Sequence, residues 1–288
     1  MTGAATPRFR KMNGLGNDFV VLDARRNPVK ITEEVAQRIS DRARGVGCDQ
    51  LIVLEPSDRA DVFMRIFNAD GSQVDACGNA TRCVALVLSE ETGSNAATIE
   101  TRAGLLRADV EGPDRIVIDM GEPRFGWEDI PLAEPFHDTT GIELQIGPID
   151  APVLKTPSVV NVGNPHAIFW VDDVDAYDLG RFGPLLENHP VFPQRANISL
   201  AQVTSRSGLK LRTWERGAGL TKACGTAACA AAVAAARKKL TDRKVEVELP
   251  GGVLTIEWTA DNRILMCGPA ELEFEGVLEP DTLSRTPA

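Results

Sequence analysis

Apolar and polar positions along the chain fall into short runs with two different periods. Asp18-Phe-Val-Val-Leu-Asp23, Gln50-Leu-Ile-Val-Leu54, Val62-Phe-Met-Arg-Ile-Phe67 and Arg115-Ile-Val-Ile-Asp119 are brief, rich in β-branched residues and bounded by polar ones, which predicts strands. Ala167-Ile-Phe-Trp-Val171, Leu209-Lys-Leu-Arg-Thr-Trp214 and Lys244-Val-Glu-Val-Glu-Leu249 predict further strands. Helical patterning is strong in two places, residues 78–91 and 225–239. The second is alanine-rich and apolar nearly all round until Arg237-Lys-Lys, so it is expected to be buried.

Both helical stretches start on the same short phrase. Ala76-Cys-Gly-Asn-Ala80 returns as Ala223-Cys-Gly-Thr-Ala227, an offset of 224 − 77 = 147. The same offset carries Gly16-Asn17 onto Gly163-Asn164, Gln50 onto Asn197, Arg65 onto Arg212 and Asn68 onto Glu215. It also carries Gly104 onto Gly251 and Gly121 onto Gly268. One ungapped register across so many landmarks predicts two copies of one unit, roughly 8–123 and 155–270. Pro123, Pro131, Pro135, Pro148, Pro152 and Pro157 mark the stretch between them as a crossover. Strands outnumber helices and seldom alternate with them. The expectation is therefore an α+β fold of two pseudo-symmetric domains, each a mostly antiparallel sheet curled around a central helix. The domains are expected at 1–130 and 131–288, with the C-terminal tail packing back on the first.

At 288 residues, 43% hydrophobic and 25% charged, the composition is globular and long enough for two cores. A net charge of −10 argues against nucleic acid or an anionic membrane as the main partner, though one Arg can still hold a small carboxylate. Residues 1–12 lack the apolar core of a secretory signal, and no apolar run is long enough to span a bilayer, so a soluble cytoplasmic protein is expected. The six cysteines (48, 77, 83, 224, 229 and 267) are too sparse for a disulfide scaffold and never show C-x-x-C spacing. No metal site is expected from them.

The repeat singles out Cys77 and Cys224. Each stands where a loop enters a helix, beside unpaired N–H groups and the positive end of the helix dipole. Two equivalent thiols suit stereoinversion, one taking a proton from one face of a tetrahedral carbon and the other returning a proton to the opposite face. The backbone N–H groups of Gly78, Asn79, Gly225 and Thr226 can hold the charge that develops on a substrate carboxylate. Cys48, Cys83, Cys229 and Cys267 are expected to be structural. Of three histidines, only His166 lies in a repeated landmark, where it can tune a thiol. Glu215-Arg216 suggests a clamp, Arg216 on a carboxylate and Glu215 on an ammonium.

Taken together these segments strongly resemble diaminopimelate epimerase. The resemblance rests on Lys11-Met-Asn-Gly-Leu-Gly-Asn-Asp-Phe19, Gly47-Cys-Asp-Gln50, Ile66-Phe-Asn-Ala-Asp-Gly71 and Ala76-Cys-Gly-Asn79. In the second half it rests on Gly163-Asn-Pro-His166, Glu215-Arg-Gly-Ala-Gly219, Ala223-Cys-Gly225 and Leu249-Pro-Gly-Gly252. It implies an enzyme independent of pyridoxal phosphate (PLP) that interconverts LL- and meso-diaminopimelate in lysine and peptidoglycan-precursor synthesis, commonly as a homodimer. Carried over by motif, Cys77 and Cys224 are the acid–base pair. Substrate contacts fall on Asn17, Gln50, Asn68, Gly78, Asn79, Asn164, Asn197, Glu215, Arg216, Gly225 and Thr226, with His166 and Glu215 influencing the thiols. Many relatives have Glu where this chain has Leu220, and Ser where it has Thr226. The alternatives are a proline racemase-like enzyme and, from another class, a thiol redox or zinc-binding protein. The latter would need clustered cysteines.

Overall fold

A computed structural model describes residues 7–278 of the chain. The chain divides into two compact units: unit 1 runs to Ile118 and resumes at Gly268, and unit 2 spans Asp119–Cys267. The boundary expected at 130/131 differs from this. The proline-bearing stretch belongs to unit 2 because Ile130, Leu132, Ile142, Leu144 and Leu154 are buried in that unit's core.

In chain order the first elements are β1 (Arg8–Asn13), β2 (Asp18–Asp23), α1 (Glu33–Ser40), β3 (Gln50–Glu55), β4 (Val62–Asn68), β5 (Gln73–Val74) and α2 (Gly78–Thr92). They are followed by β6 (Ala96–Thr101), β7 (Gly104–Gly112) and β8 (Arg115–Asp119). Next come β9 (Gln145–Ile146), β10 (Leu154–Lys155), β11 (Ser158–Asn161), β12 (Pro165–Trp170), α3 (Leu179–Glu187), β13 (Asn197–Ser205), β14 (Gly208–Glu215) and β15 (Gly219–Thr221). The series closes with α4 (Gly225–Arg237), β16 (Lys244–Leu249), β17 (Gly252–Trp258), β18 (Ile264–Gly268) and β19 (Glu271–Val277).

Unit 1 is built on the ladder β19–β1–β2–β3–β4–β6–β7, with β5 also on β4. All pairs are antiparallel except β2–β3 and β4–β6. The tail thus contributes β19 to unit 1, while residues 279–288 lie outside the described part. Val20, Leu22, Leu51, Val53 and Phe67 pack on Val35, Ala36 and Ile39 of α1. The alternate residues Phe19, Val21, Ile52, Leu54 and Ile66 are buried on the opposite face. Burial on both faces explains why these strands read as continuous apolar runs.

Unit 2 repeats the plan: β11–β12–β13–β14–β16–β17–β18, with β15 on β14, and β12–β13 and β14–β16 as the parallel pairs. The repeat extends to pairing register. Phe19 opposes Gln50 in β2–β3 and His166 opposes Asn197 in β12–β13, and both residues of the pair shift by 147 (166 − 19 and 197 − 50).

The single offset does not hold throughout. Helix α2 ends at the left-handed Gly93 and β6 starts at 96, whereas the equivalent left-handed residue in unit 2 is Lys239 and β16 starts at 244. Strand β17 therefore starts at Gly252, so Gly104 is matched by Gly252 (252 − 104 = 148) and not by Gly251. The helix and its following loop absorb the extra residue at the surface, where insertion costs little.

Candidate active site

Four backbone positions converge at one end of each unit. In unit 1, β2 and β3 are parallel and both begin there, antiparallel β4 ends there, and α2 begins there. Asn17 precedes β2, Gln50 opens β3, Asn68 closes β4 and Cys77 caps α2. In unit 2 the corresponding places hold Asn164, Asn197, Glu215 and Cys224. Sheet connectivity therefore gathers sequence-distant polar residues beside a helix N-terminus in each half.

The two cysteines share a backbone state. Cys77 has φ −149° and ψ 111°, and Cys224 has φ −126° and ψ 106°, both extended, and neither sulfur caps its own helix. Thr81 N donates to Cys77 O at 3.0 Å, and Ala228 N to Cys224 O at 3.1 Å, closing the first turn of each helix. Cys77 is half-buried and Cys224 buried. Helices α2 and α4 are buried over residues 79–88 and 227–235, which anchors both thiols at the ends of rigid elements. In α4 this segment is alanine apart from Cys229 and Val233, which lets strands approach closely.

In unit 1, Asn79 Nδ2 donates to Asn17 Oδ1 at 3.4 Å, and Asn17 Nδ2 donates to Asp49 Oδ2 at 2.7 Å. Gln50 Nε2 donates to Asn68 Oδ1 at 2.9 Å. That leaves the buried Gln50 Oε1 without a hydrogen-bond partner among the described residues, an acceptor available to a ligand N–H. Fully buried Arg82, further along α2 from Cys77, donates to Asn79 Oδ1 at 3.1 Å and Pro269 O at 3.0 Å. Its sequence position gave no sign of this task.

In unit 2, the partly buried Glu215 lies against Cys224. Burial pushes the Glu215 carboxyl up, against hydrogen bonds from Thr221 (Oγ1 to Oε1, 2.5 Å) and Cys224. Burial also pushes the Cys224 thiol well above its ordinary value, and the Glu215 charge adds to this, while Thr226 Oγ1 at 3.5 Å opposes it. A helix N-terminus lowers a thiol pKa and burial raises it; here burial wins. The backbone N–H of Arg216 donates to Asn197 Oδ1 at 2.9 Å, and its guanidinium to Gln194 O at 3.0 Å.

His166 is fully buried, its Nε2 2.7 Å from Asn164 Oδ1 and 3.5 Å from Asn197 Nδ2, with Nδ1 lacking a partner among the described residues. Burial, aided by the Arg216 charge, lowers its pKa from 6.5 to about 3. A neutral ring offers hydrogen bonds and no cation, so any effect on a thiol is exerted that way. The unfolded chain takes up a proton near pH 6.5 that the folded chain refuses until about pH 3. Stability should therefore fall with decreasing pH across that window, at about 1.4 kcal/mol per pH unit from this group. Urea titrations of wild type and His166→Gln between pH 7 and pH 4 should show a shallower decline in the variant; equal slopes would contradict a buried neutral histidine.

Cys48, Cys83 and Cys229 are buried, and Cys267 is half-buried. Burial pushes Cys83 up to about 12 and also raises Cys48, which packs on Ser40 (Sγ to Oγ, 3.4 Å). A cavity of about 560 Å³ on unit 2, walled in part by Lys210, Arg212, Lys222, Asp175 and Glu248, contains none of the residues expected to be catalytic or to contact substrate. Two of its cations already face Asp175, at 2.7 and 3.8 Å.

The fold is shared with distant solved structures. A putative phenazine biosynthesis PhzC/PhzF protein of Clostridium difficile superposes with a TM-score of 0.67 at 16% identity, covering 95% of this chain and 99% of its own. A hydroxyproline epimerase of Agrobacterium vitis gives 0.65 at 15% identity, covering 96% and 93%. A predicted epimerase of Pseudomonas aeruginosa gives 0.65 at 18%, covering 95% and 99%. Together they place the chain in the α+β class of PhzF and proline racemase-like folds, with a cysteine at the start of each buried helix.

Sequence narrows this further. The diaminopimelate epimerase family model matches residues 9–126 and 158–273, nearly the two repeats. A diaminopimelate epimerase of Rhodopseudomonas palustris is 61% identical over 276 residues, 94% of this chain and 93% of the relative. One from Afipia carboxidovorans is 59% identical over 287 residues, 98% of each. The chain belongs to the diaminopimelate epimerase family.

Proposed function

We propose that the chain interconverts LL- and meso-2,6-diaminopimelate, with Cys77 and Cys224 as the two bases and no PLP, in lysine and peptidoglycan-precursor synthesis. The observation that carries the two-base assignment is the repeated placement of a cysteine, alone among the repeated side chains in its acid–base chemistry, at the N-cap of both buried helices. One sulfur removes the α-proton as thiolate while the other, as thiol, delivers a proton to the opposite face; in the reverse direction the roles exchange. Negative charge moving into the α-carboxylate meets the N–H groups at 78, 79, 225 and 226.

Asn17, Asn68, Gln50, Asn79, Asn164 and Asn197 supply the amide donors and acceptors that two amino-acid ends require. Arg216 holds a carboxylate and Glu215 an ammonium. A proline-like substrate has a single carboxylate and a single ring nitrogen, so it would leave much of this polar set unused. Among the described residues no helix is long and apolar enough to cross a membrane. A cytoplasmic homodimer acting on a small molecule, apart from nucleic acid, belongs to the same proposal.

Purified protein, assayed with a chelator and without added PLP, should epimerise LL-diaminopimelate and leave proline and hydroxyproline unchanged. Activity on proline instead, or activity that depends on added PLP, would overturn the assignment. Cys267→Ala should retain kcat within about twofold, since substitutions away from a site usually shift free energies by under about 0.5 kcal/mol. An inactive Cys267→Ala would show that the wrong Cys-Gly pair had been chosen.

A further inference from the structure

The Arg216 turn is held by a carboxylate that the sequence did not mark. Glu187, the last residue of α3, is buried and accepts three hydrogen bonds. Its Oε2 takes the Trp214 indole N–H at 2.7 Å. Its Oε1 takes the Gly217 backbone N–H at 2.9 Å and Arg195 at 3.1 Å. Trp214 directly precedes Glu215-Arg216, and Gly217, left-handed at φ 77°, directly follows. One carboxylate thus holds both ends of the four-residue turn carrying the clamp.

The rest of the helix face is built to match. Gly183, one turn earlier on α3, lies against the Trp214 ring so closely that an added Cβ would sit 2.5 Å from its Cγ. The indole is therefore pressed onto α3 with its N–H aimed at Glu187. The repeat supplies a comparison within the molecule. Shifting by 147 carries Glu187 to Ser40 (187 − 147), Arg195 to Cys48 (195 − 147) and Trp214 to Phe67 (214 − 147). In unit 1 that position is a thiol-to-hydroxyl contact at 3.4 Å beside a phenylalanine. The architecture therefore folds without a carboxylate there. Unit 2 carries one, together with its indole and guanidinium partners, in the half that holds Glu215-Arg216.

We propose that Glu187 is a positioning residue for substrate binding: it anchors the 214–217 turn and so sets the Arg216 guanidinium for the substrate carboxylate, resting on the clamp role proposed above for Arg216. Its carboxylate accepts from two N–H donors at the ends of the turn. An amide cannot do this, because its NH₂ must face one of them. Glu187→Gln should therefore distort the turn, and removing the conflicting donor should relieve it.

The test compares Glu187→Gln, Trp214→Phe, the double variant and Arg216→Ala in steady-state kinetics on LL-diaminopimelate, with melting curves for each. Glu187→Gln should raise KM by about tenfold, the cost of roughly one misplaced hydrogen bond, and change kcat much less. Trp214→Phe, which deletes the donor and trims the indole without introducing a second donor against Glu187, should shift KM by under about threefold. In the double variant the Gln oxygen can accept from Gly217 while its NH₂ faces the phenylalanine, so KM should return to the Trp214→Phe value. An unchanged KM in Glu187→Gln would overturn the anchor. So would a double variant that regains thermal stability without regaining KM, because Glu187 would then be structural only. If Arg216→Ala itself left KM unaltered, the clamp would fall; a raised KM in Arg216→Ala beside an unaltered KM in Glu187→Gln would remove the anchor alone.

Discussion

Alanine at either Cys77 or Cys224 should lower epimerase turnover by about three orders of magnitude in both directions, near the middle of the range for a positioned general acid or base. That corresponds to about 4 kcal/mol of transition-state stabilisation. A two-base reaction needs both residues in every turnover, so the losses should be alike and the double variant little worse than either single one. Folding should survive, because the change removes one sulfur and both positions lie at the start of helices held by their own buried alanine, valine and leucine residues. Cys83→Ala is the control: its sulfur is fully buried in α2, so it should cost stability and leave kcat near wild type. Steady-state kinetics with melting curves would check this. Substantial turnover in Cys77→Ala or Cys224→Ala would refute the pairing.

Glu215→Gln should produce the second largest effect, in two separable parts. A neutral amide loses the charged contact to the substrate ammonium, so kcat/KM should fall between about tenfold and a hundredfold, the 1.5–3 kcal/mol of a charge-assisted hydrogen bond. The amide also ceases to repel a thiolate on Cys224. Burial is the larger cause of that thiol's raised pKa and remains, but the Glu215 charge is removed, so the pKa falls. Whichever limb of the pH–rate profile reports Cys224 should then move to lower pH. Movement of the basic limb would identify Cys224 as the resting thiol, and movement of the acidic limb as the resting thiolate. A limb moving upward, or a profile unchanged in shape, would contradict the contact between carboxylate and sulfur.

The candidate catalytic positions were legible because the chain carries two copies of its own plan. An offset of 147 was enough to pair Cys77 with Cys224 and to place Asn17, Gln50 and Asn68 opposite Asn164, Asn197 and Glu215. Strand β2, at Asp18–Asp23, and strand β16, at Lys244–Leu249, have the limits expected from their patterning. Helix α1, outside the two stretches that patterning marked, carried a local start signal, Thr32 followed by two glutamates; the Thr32 side chain accepts from Val35 N. Helix α3 did not, since Gly180, Gly183 and Pro184 lie within its nine residues. Gly183 follows from tertiary packing against the Trp214 ring, which local propensity does not see. The same applies to the polar residues that hold the site. Arg82, Thr221 and Glu187 earn their places through contacts with partners remote in the chain or hidden in the core, and nothing in their immediate neighbours announces it. The one-residue drift after the helices was concealed by Gly251-Gly252, where either glycine satisfied an alignment with Gly104.

The central claim, two bases on opposite faces of one carbon, is tested most directly by the isotope content of both epimers at low conversion in deuterium oxide. Starting from LL-diaminopimelate, newly formed meso product should carry one solvent-derived deuterium at its inverted centre, while recovered LL substrate stays largely protiated, because the proton removed and the proton delivered belong to different sulfurs. Product that retains the substrate's own hydrogen, or substrate and product that acquire deuterium equally from the outset, would contradict it.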